Sequence, residues 1–214
     1  MLKSMTDMKS TFKSIFLLAA AALSAAGCTG DGSRAPRMSR EEKALIEGPG
    51  IMRVLTVDNR EDSLVLRAGC SDFRIRDLKS ETFRILSGRM IATVTDPSQD
   101  GVGIAGPQVG LKRRIVAVMR YDKPGMPFEI YPNLHIEYLS DEKQCGPEGC
   151  LSIPDISGDV IRSQKIIIRY TDPETIETVR DTVEGYTAVI FQHEADHLDG
   201  ILFTDKVVNT GPGR

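Results

Sequence analysis

Between residues 77 and 94 apolar side chains recur at helical spacing, with Leu78, Leu86, Met90 and Val94 on one stripe and Phe83 beside it, and Asp96-Pro97 stops the pattern. A second helix is predicted over Glu184–Leu198, where proline is absent, Gly185 stands near the start and Gly200 supplies a stop. The other patterned segments read as strands: Ile51–Val57, Arg114–Met119, Phe128–Tyr131, His135–Leu139, Asp159–Ile161, Lys165–Tyr170 and Ile176–Val183. Asp172-Pro173 marks the turn between the last two. Strands predominate, and helices do not alternate with them one for one. That pattern predicts an α+β fold, with antiparallel β-sheets packed around a central helix, and argues against a doubly wound parallel sheet.

A length of 214 residues with 41% hydrophobic content allows one domain and an appendage. The appendage is residues 1–27, where Lys3, Lys9 and Lys13 precede a run of apolar and small residues from Ile15 to Ala26. Twelve helical residues span about 18 Å, short of the roughly 30 Å hydrocarbon core, so the run predicts a signal peptide and not a membrane span. The small residues before Cys28 resemble a bacterial lipobox, which implies lipidation of Cys28 and a domain anchored at the cell envelope. The alternative is a cytoplasmic chain starting at Met38 or Met52. Residues 28–50, rich in Gly, Ser, Arg and Pro, read as a flexible tether, 51–206 as the catalytic domain and 207–214 as a tail. Removing residues 1–27 takes away three lysines and Asp7, so the formal charge of −3 becomes −5. No basic cluster points to nucleic acid.

The second helix carries Gln192-His193-Glu194-Ala195-Asp196-His197. Helical residues four apart share a face, with Cβ atoms about 5 to 6 Å apart. His193 and His197 are thereby placed to share one metal ion, with Glu194 beside the open coordination position, the HExxH arrangement of metal-assisted hydrolysis. A hydrolytic site needs a third protein ligand. A metzincin protease would carry histidine where this chain has Phe203, which excludes that family. His135, the remaining histidine, reads as a strand residue. Cys150, in Glu148-Gly149-Cys150-Leu151-Ser152, is either a soft thiolate ligand or a buried apolar thiol. A third stretch, Gly101-Val102-Gly103-Ile104-Ala105-Gly106-Pro107-Gln108, has the small residues of a segment passing close to a ligand or another backbone, and lacks the features of a phosphate loop.

Taken in this order, GVGIAGPQ, EGCLS and QHEADH resemble the three signature motifs of the peptide deformylases, a likeness running from about Met52 to Asp205. The resemblance implies a metallohydrolase that removes the formyl group from N-terminal formyl-methionine of peptides. Cys150, His193 and His197 would bind one divalent ion, ferrous iron natively, with zinc and nickel as alternatives. Glu194 would be general base and acid, and the Gln108 amide and Leu151 backbone N–H would stabilise the charge on the formyl oxygen. Tyr186, Val189 and Ile190, on the histidine face of the helix, are candidate walls for the methionine pocket, with Val102 opposite; ordinary core positions are the other reading. The backbones of Gly103 and of Gly146 to Glu148 are candidates for strand-like pairing with the peptide. The family also suggests that Arg162 holds Glu148.

Some residues depart from the family pattern. Gly106 stands where alanine is usual, which would loosen its loop, and Tyr186 where leucine is common. Cys145, five residues before Cys150, is a possible disulfide partner in oxidising surroundings. The long C-terminal helix of some deformylases has no counterpart. A monomer is expected, touching a membrane only through its leader or anchor. A zinc peptidase of the envelope, with a third ligand other than Cys150, and a non-catalytic envelope binding module are the competing readings.

Overall fold

The computed structural model describes residues 35–211, so the leader, Cys28 and the start of the tether lie outside the described residues. Helix α1 (Arg40–Ile46) begins at a capping box in which the Ser39 hydroxyl accepts from the Glu42 N–H while the Glu42 carboxylate accepts from the Ser39 N–H. Helices α2 (Arg60–Leu66), α3 (Ile75–Leu78) and α4 (Glu81–Val94) follow. The single helix expected over Asp77–Val94 is broken at Lys79-Ser80, where the Ser80 hydroxyl caps the N–H of Phe83 and starts α4 afresh. Its expected stripe is the buried one, with Leu86, Met90 and Val94 fully enclosed.

Nine strands make three antiparallel sheets among the described residues. The first contains β1 (Gly103–Ala105), β2 (Ile115–Met119) and β3 (Phe128–Pro132). The second sets β7 (Lys165–Thr171) between β4 (His135–Leu139) and β8 (Thr178–Glu184). In the third, β6 (Ile153–Ser163) lies between β5 (Lys143–Cys150) and β9 (Val207–Gly211). Helix α5 (Gly185–Leu198) packs against strands of all three. One core joins α5 to the first two sheets through Val116, Leu134, Ile168, Phe191 and their neighbours, and Phe191 meets Tyr131 edge-on at 4.8 Å. The α+β arrangement around a central helix is therefore the architecture observed.

Four expectations are corrected. Ile51–Val57 is not a strand: its backbone donates singly, Leu55 N–H to the Gln108 carbonyl and Val57 N–H to the Ser152 carbonyl, tying two motifs together without forming a ladder. The described part of the tether is folded. Met38 and Ile46 are buried in the core under α4, and two arginines distant in sequence hold the backbone. Arg89 donates to the carbonyls of Leu45, Ile46, Pro49, Gly50 and Ile51, and the buried Arg113 donates to those of Pro36 and Arg37 and to both Glu42 oxygens. The tail is a strand through Gly211, because β9 supplies the outer partner of β6. Cys145 and Cys150 are both free thiols. Five residues along one extended strand separate their Cα atoms by about 16 Å, far beyond disulfide reach.

Docking of residues 36–50 should be measurable. Arg113→Ala takes the guanidinium from Glu42 and from the carbonyls of Pro36, Arg37 and Asp72, and is expected to cost about 2 to 3 kcal/mol in chemical denaturation. An unchanged midpoint would contradict the docked role.

Candidate metal centre

Helix α5 is built to sit in the middle of the molecule. Gly185 has φ +64° and turns the chain out of β8, and Gly200 has φ +73° just past the helix end. A Cβ at Gly200 would lie 2.4 Å from the Arg67 carbonyl oxygen, so glycine alone fits that stop. The Gln192 side chain clamps the helix to the end of β6, its Oε1 accepting from the Ser163 N–H at 2.9 Å and its Nε2 donating to the Ser163 carbonyl at 2.8 Å. Sequence reasoning gave Gln192 no task, although it precedes the first histidine.

Strand β5 delivers the third ligand. Its pairing with β6 shifts register between Gly149 and Cys150, which sets the thiol at the strand end facing α5. Cys150 Sγ lies 3.2 Å from His197 Nε2, and one ligand atom each from Cys150, His193 and His197 falls within 4.8 Å of the others. With metal–sulfur and metal–nitrogen distances of about 2.3 and 2.0 to 2.1 Å, a tetrahedral ion needs its ligands about 3.4 to 3.6 Å apart. The donor set fits one such ion, and no other cluster of three ligating side chains occurs among the described residues. That removes the third ligand a peptidase reading required. His135 is far from the centre, in contact with Asp72 at 3.1 Å.

A buried ionic network fixes the first histidine. His193 Nδ1 meets Glu148 Oε2 at 2.9 Å, leaving Nε2 for an ion. Glu148 receives a bidentate pair from Arg162, Nε at 2.7 Å and the second nitrogen at 2.9 Å, which is the pairing expected. Arg162 also reaches Asp196 on the outer face of α5, and Lys206 takes the other Asp196 oxygen at 2.6 Å. Burial would raise the Glu148 carboxyl, but Arg162 and His193 outweigh it and hold it down at about 2. Burial likewise acts to lower His193, yet its contacts with Cys150 and Glu148 raise it to about 10. His197 is pushed well below the usual imidazole range, first by burial and then by His193.

Glu194 is 3% exposed and its Oε2 has no hydrogen-bond partner among the described residues. Burial, opposed by His193, lifts its carboxyl to about 7, the range a proton shuttle needs. It lies against Gly103, where a Cβ would come within 2.4 Å of Glu194 Oε1 and 2.9 Å of Ile190 Cγ2. The close approach predicted for the glycine stretch is thus an approach to this carboxylate. Gly103→Ala is expected to keep the fold and the ligands but lower turnover about 10²-fold by displacing Glu194, a steady-state measurement; wild-type turnover would refute the contact. The Gln108 Oε1 accepts from the Ala105 N–H at 2.8 Å, which aims its Nε2 at Ser152 Oγ (3.3 Å) and Cys150 Sγ (3.6 Å).

These groups open into a cleft of about 510 Å³. Val102, Gly103, Glu148, Tyr186, Val189 and Ile190 line it, as expected, and so do Gln108 and Leu151. Gly146 does not: it pairs with Val160 inside the β5–β6 ladder, and Pro147 takes its place at the wall. Tyr186 is 53% exposed and packs edge-on against Tyr121 at 5.2 Å, so its bulk stands at the rim. Gly106 does not loosen its loop. A Cβ there would lie 2.5 Å from the Arg113 carbonyl oxygen and 2.8 Å from that of Leu111, so the turn closes too tightly for alanine. Pro154 to Ser157, near the start of β6, also line the cleft, and no sequence motif marks them. Only the pairing of β6 with the motif strand would have found them.

The sequence pattern of the polypeptide deformylase family matches residues 51–212. A peptide deformylase of Leptospira biflexa is 32% identical over 167 residues, covering 75% of this chain and 89% of that one. Another, of Symbiobacterium thermophilum, is 45% identical over 121 residues, 56% of this chain and 54% of that protein. The solved structure of a peptide deformylase from Acinetobacter baumannii with Met-Ala-Ser bound is 33% identical, covers 74% of this chain and 99% of its own, and superposes with a TM-score of 0.66. With a thiolate and two imidazoles converging beside a buried glutamate, and these matches spanning the folded domain, the chain belongs to the peptide deformylase family.

Proposed function

We propose that this chain hydrolyses the formyl amide of N-terminal formyl-methionine in peptides, releasing formate, with Cys150, His193 and His197 holding one divalent ion. The observation that carries the proposal is the convergence of three ligand atoms within 4.8 Å at the floor of a cleft that Glu194 also lines. When bound, the ion supplies a Lewis acid and lowers the pKa of a water to about 7. Water adds across the C–N bond: Glu194 accepts one proton from the water and delivers it to the amine nitrogen as that bond breaks. The Cys150 thiolate carries charge that a third imidazole would not, which leaves more of the deprotonation to Glu194. Gln108 Nε2 and the Leu151 N–H donate to the formyl oxygen as charge gathers there, a contribution typically worth about 10² to 10³ in rate per donor.

Strands β1 and β5 are both edge strands of their sheets, and residues of both line the cleft, so a peptide has free backbone partners on either side. Val102, Val189 and Ile190 form the apolar wall for the methionine side chain. The Met-Ala-Ser bound by the Acinetobacter baumannii enzyme is the product such a substrate would leave. Ferrous iron is the ion proposed, because a mixed thiolate and imidazole set suits it, and zinc and nickel suit the same set. The chain purified anaerobically is expected to release formate from formyl-Met-Ala-Ser. No release with an ion bound would contradict the proposal.

The leader pattern supports an envelope location with Cys28 as lipid attachment point, for a monomer. Backbone docking begins at Ala35, whose carbonyl accepts from Arg74. Six residues would then separate anchor from domain, a reach of about 25 Å at most, so the domain would stand close to the bilayer.

A further inference from the structure

Gln108 stands on a single 3₁₀ turn, Gly106–Val109, which Gly110 ends with φ +82°. One such turn has little stiffness of its own. The side-chain amide is weakly held as well: Nε2 lies 3.3 Å from Ser152 Oγ and 3.6 Å from Cys150 Sγ, both long contacts. Where the amide points is therefore set by what holds the turn.

The outer supports come from the start of the folded chain. Leu55 N–H donates to the Gln108 carbonyl at 2.8 Å. A Cβ at Gly110 would lie 3.3 Å from Leu45 Cδ2, so this side chain of α1 rests on the glycine that closes the turn. Val109 and Leu111 share one buried core with Met38 and Ile46. Arg113 joins the two parts: its carbonyl faces Gly106, while its guanidinium holds Glu42 and the carbonyls of Pro36 and Arg37. The family match begins at residue 51, so α1 lies before it.

We infer that the docked segment 36–50 is a positioning element for Gln108, with Leu45 as the residue that seats the turn. The inference rests on the deformylase reading and adds to it a determinant of rate outside the three motifs. Charge gathers on the formyl oxygen only as water adds, so a displaced amide costs transition-state stabilisation and leaves substrate binding alone. Leu45 is 39% exposed, so shortening it opens no enclosed cavity and the fold should persist.

In the full chain loaded with metal, Leu45→Ala should keep its ion and lower kcat per bound ion for formyl-Met-Ala-Ser about tenfold, part of the roughly 10² to 10³ that one donor supplies, with KM little changed. Leu45→Met, of similar volume, should recover the rate. A double-mutant cycle separates positioning from general damage: with Gln108→Ala already present, Leu45→Ala should cost nothing further, because no amide is left to aim. Hydrogen exchange gives a second reading without turnover. The N–H groups of Gly110 and Leu111, which donate to the carbonyls of Pro107 and Gly106, should exchange faster in Leu45→Ala. Equal losses in both backgrounds, a loss confined to KM, wild-type kcat in Leu45→Ala, or unchanged exchange would overturn the inference while leaving deformylation intact. No formate from the wild-type chain with its ion bound would overturn both.

Discussion

Glu194→Gln should retain its ion and lose at least about 10³-fold in turnover, the upper part of the range for a positioned acid-base group. The substitution removes the proton acceptor without altering side-chain shape, and it touches none of the three ligands. Two features make the loss large. The carboxyl is held at about 7 by burial, so near neutral pH it both accepts and returns a proton. It is also pressed against Gly103, and Glu148, the other buried carboxylate lining the cleft, is committed to Arg162 and His193. A second consequence separates function from folding. An unpartnered buried carboxylate is costlier than a neutral amide in the same place. The variant should therefore be at least as resistant to denaturant as the wild type. Metal analysis, formate assays and denaturation of one preparation test all three; near wild-type turnover would refute the role.

Arg162→Leu should be the most damaging change outside the ligand set. Arg162 and Glu148 side chains are 4% and 6% exposed; Glu148 meets His193 Nδ1 on one side of the pair, and Arg162 reaches Asp196 on the other. Leucine strips the buried Glu148 of its guanidinium partner and leaves Asp196 with Lys206 alone, at an expected cost of about 3 to 5 kcal/mol. Lysine should recover little, since it cannot give the forked pair that Glu148 accepts. Acid should reveal the same network. The Glu148 carboxyl sits at about 2, below its ordinary 4.5, so it contributes stability that is fully present above pH 4.5 and lost as pH falls towards 2. Glu148→Gln should be destabilised near neutral pH and should lack that part of the acid-induced loss. A wild-type denaturation midpoint in Arg162→Leu, measured with and without metal, would contradict the account.

What was legible in the sequence follows from what each pattern encodes. Helix α5 and strands β2, β3, β4 and β7 are runs of helix-forming or of apolar and β-branched residues bounded by turn signals, and all were readable. Strand β5 was not, because Gly146, Pro147 and Gly149 give it no strand character; its pairing with β6 makes it a strand. Residues 36–50 have the composition of a linker, and only partners 39 or more positions away, Arg89 and Arg113, reveal that the segment is docked. The ligands were found because their chemistry is tied to short motifs, and Arg162 because the family resemblance named it.

X-ray absorption at the edge of the bound metal reads the coordination shell directly. One sulfur at about 2.3 Å together with two imidazole nitrogens at about 2.0 to 2.1 Å is the result predicted for zinc-loaded protein. A shell containing only nitrogen and oxygen would show that Cys150 is not a ligand and would contradict the site on which the proposed hydrolysis depends.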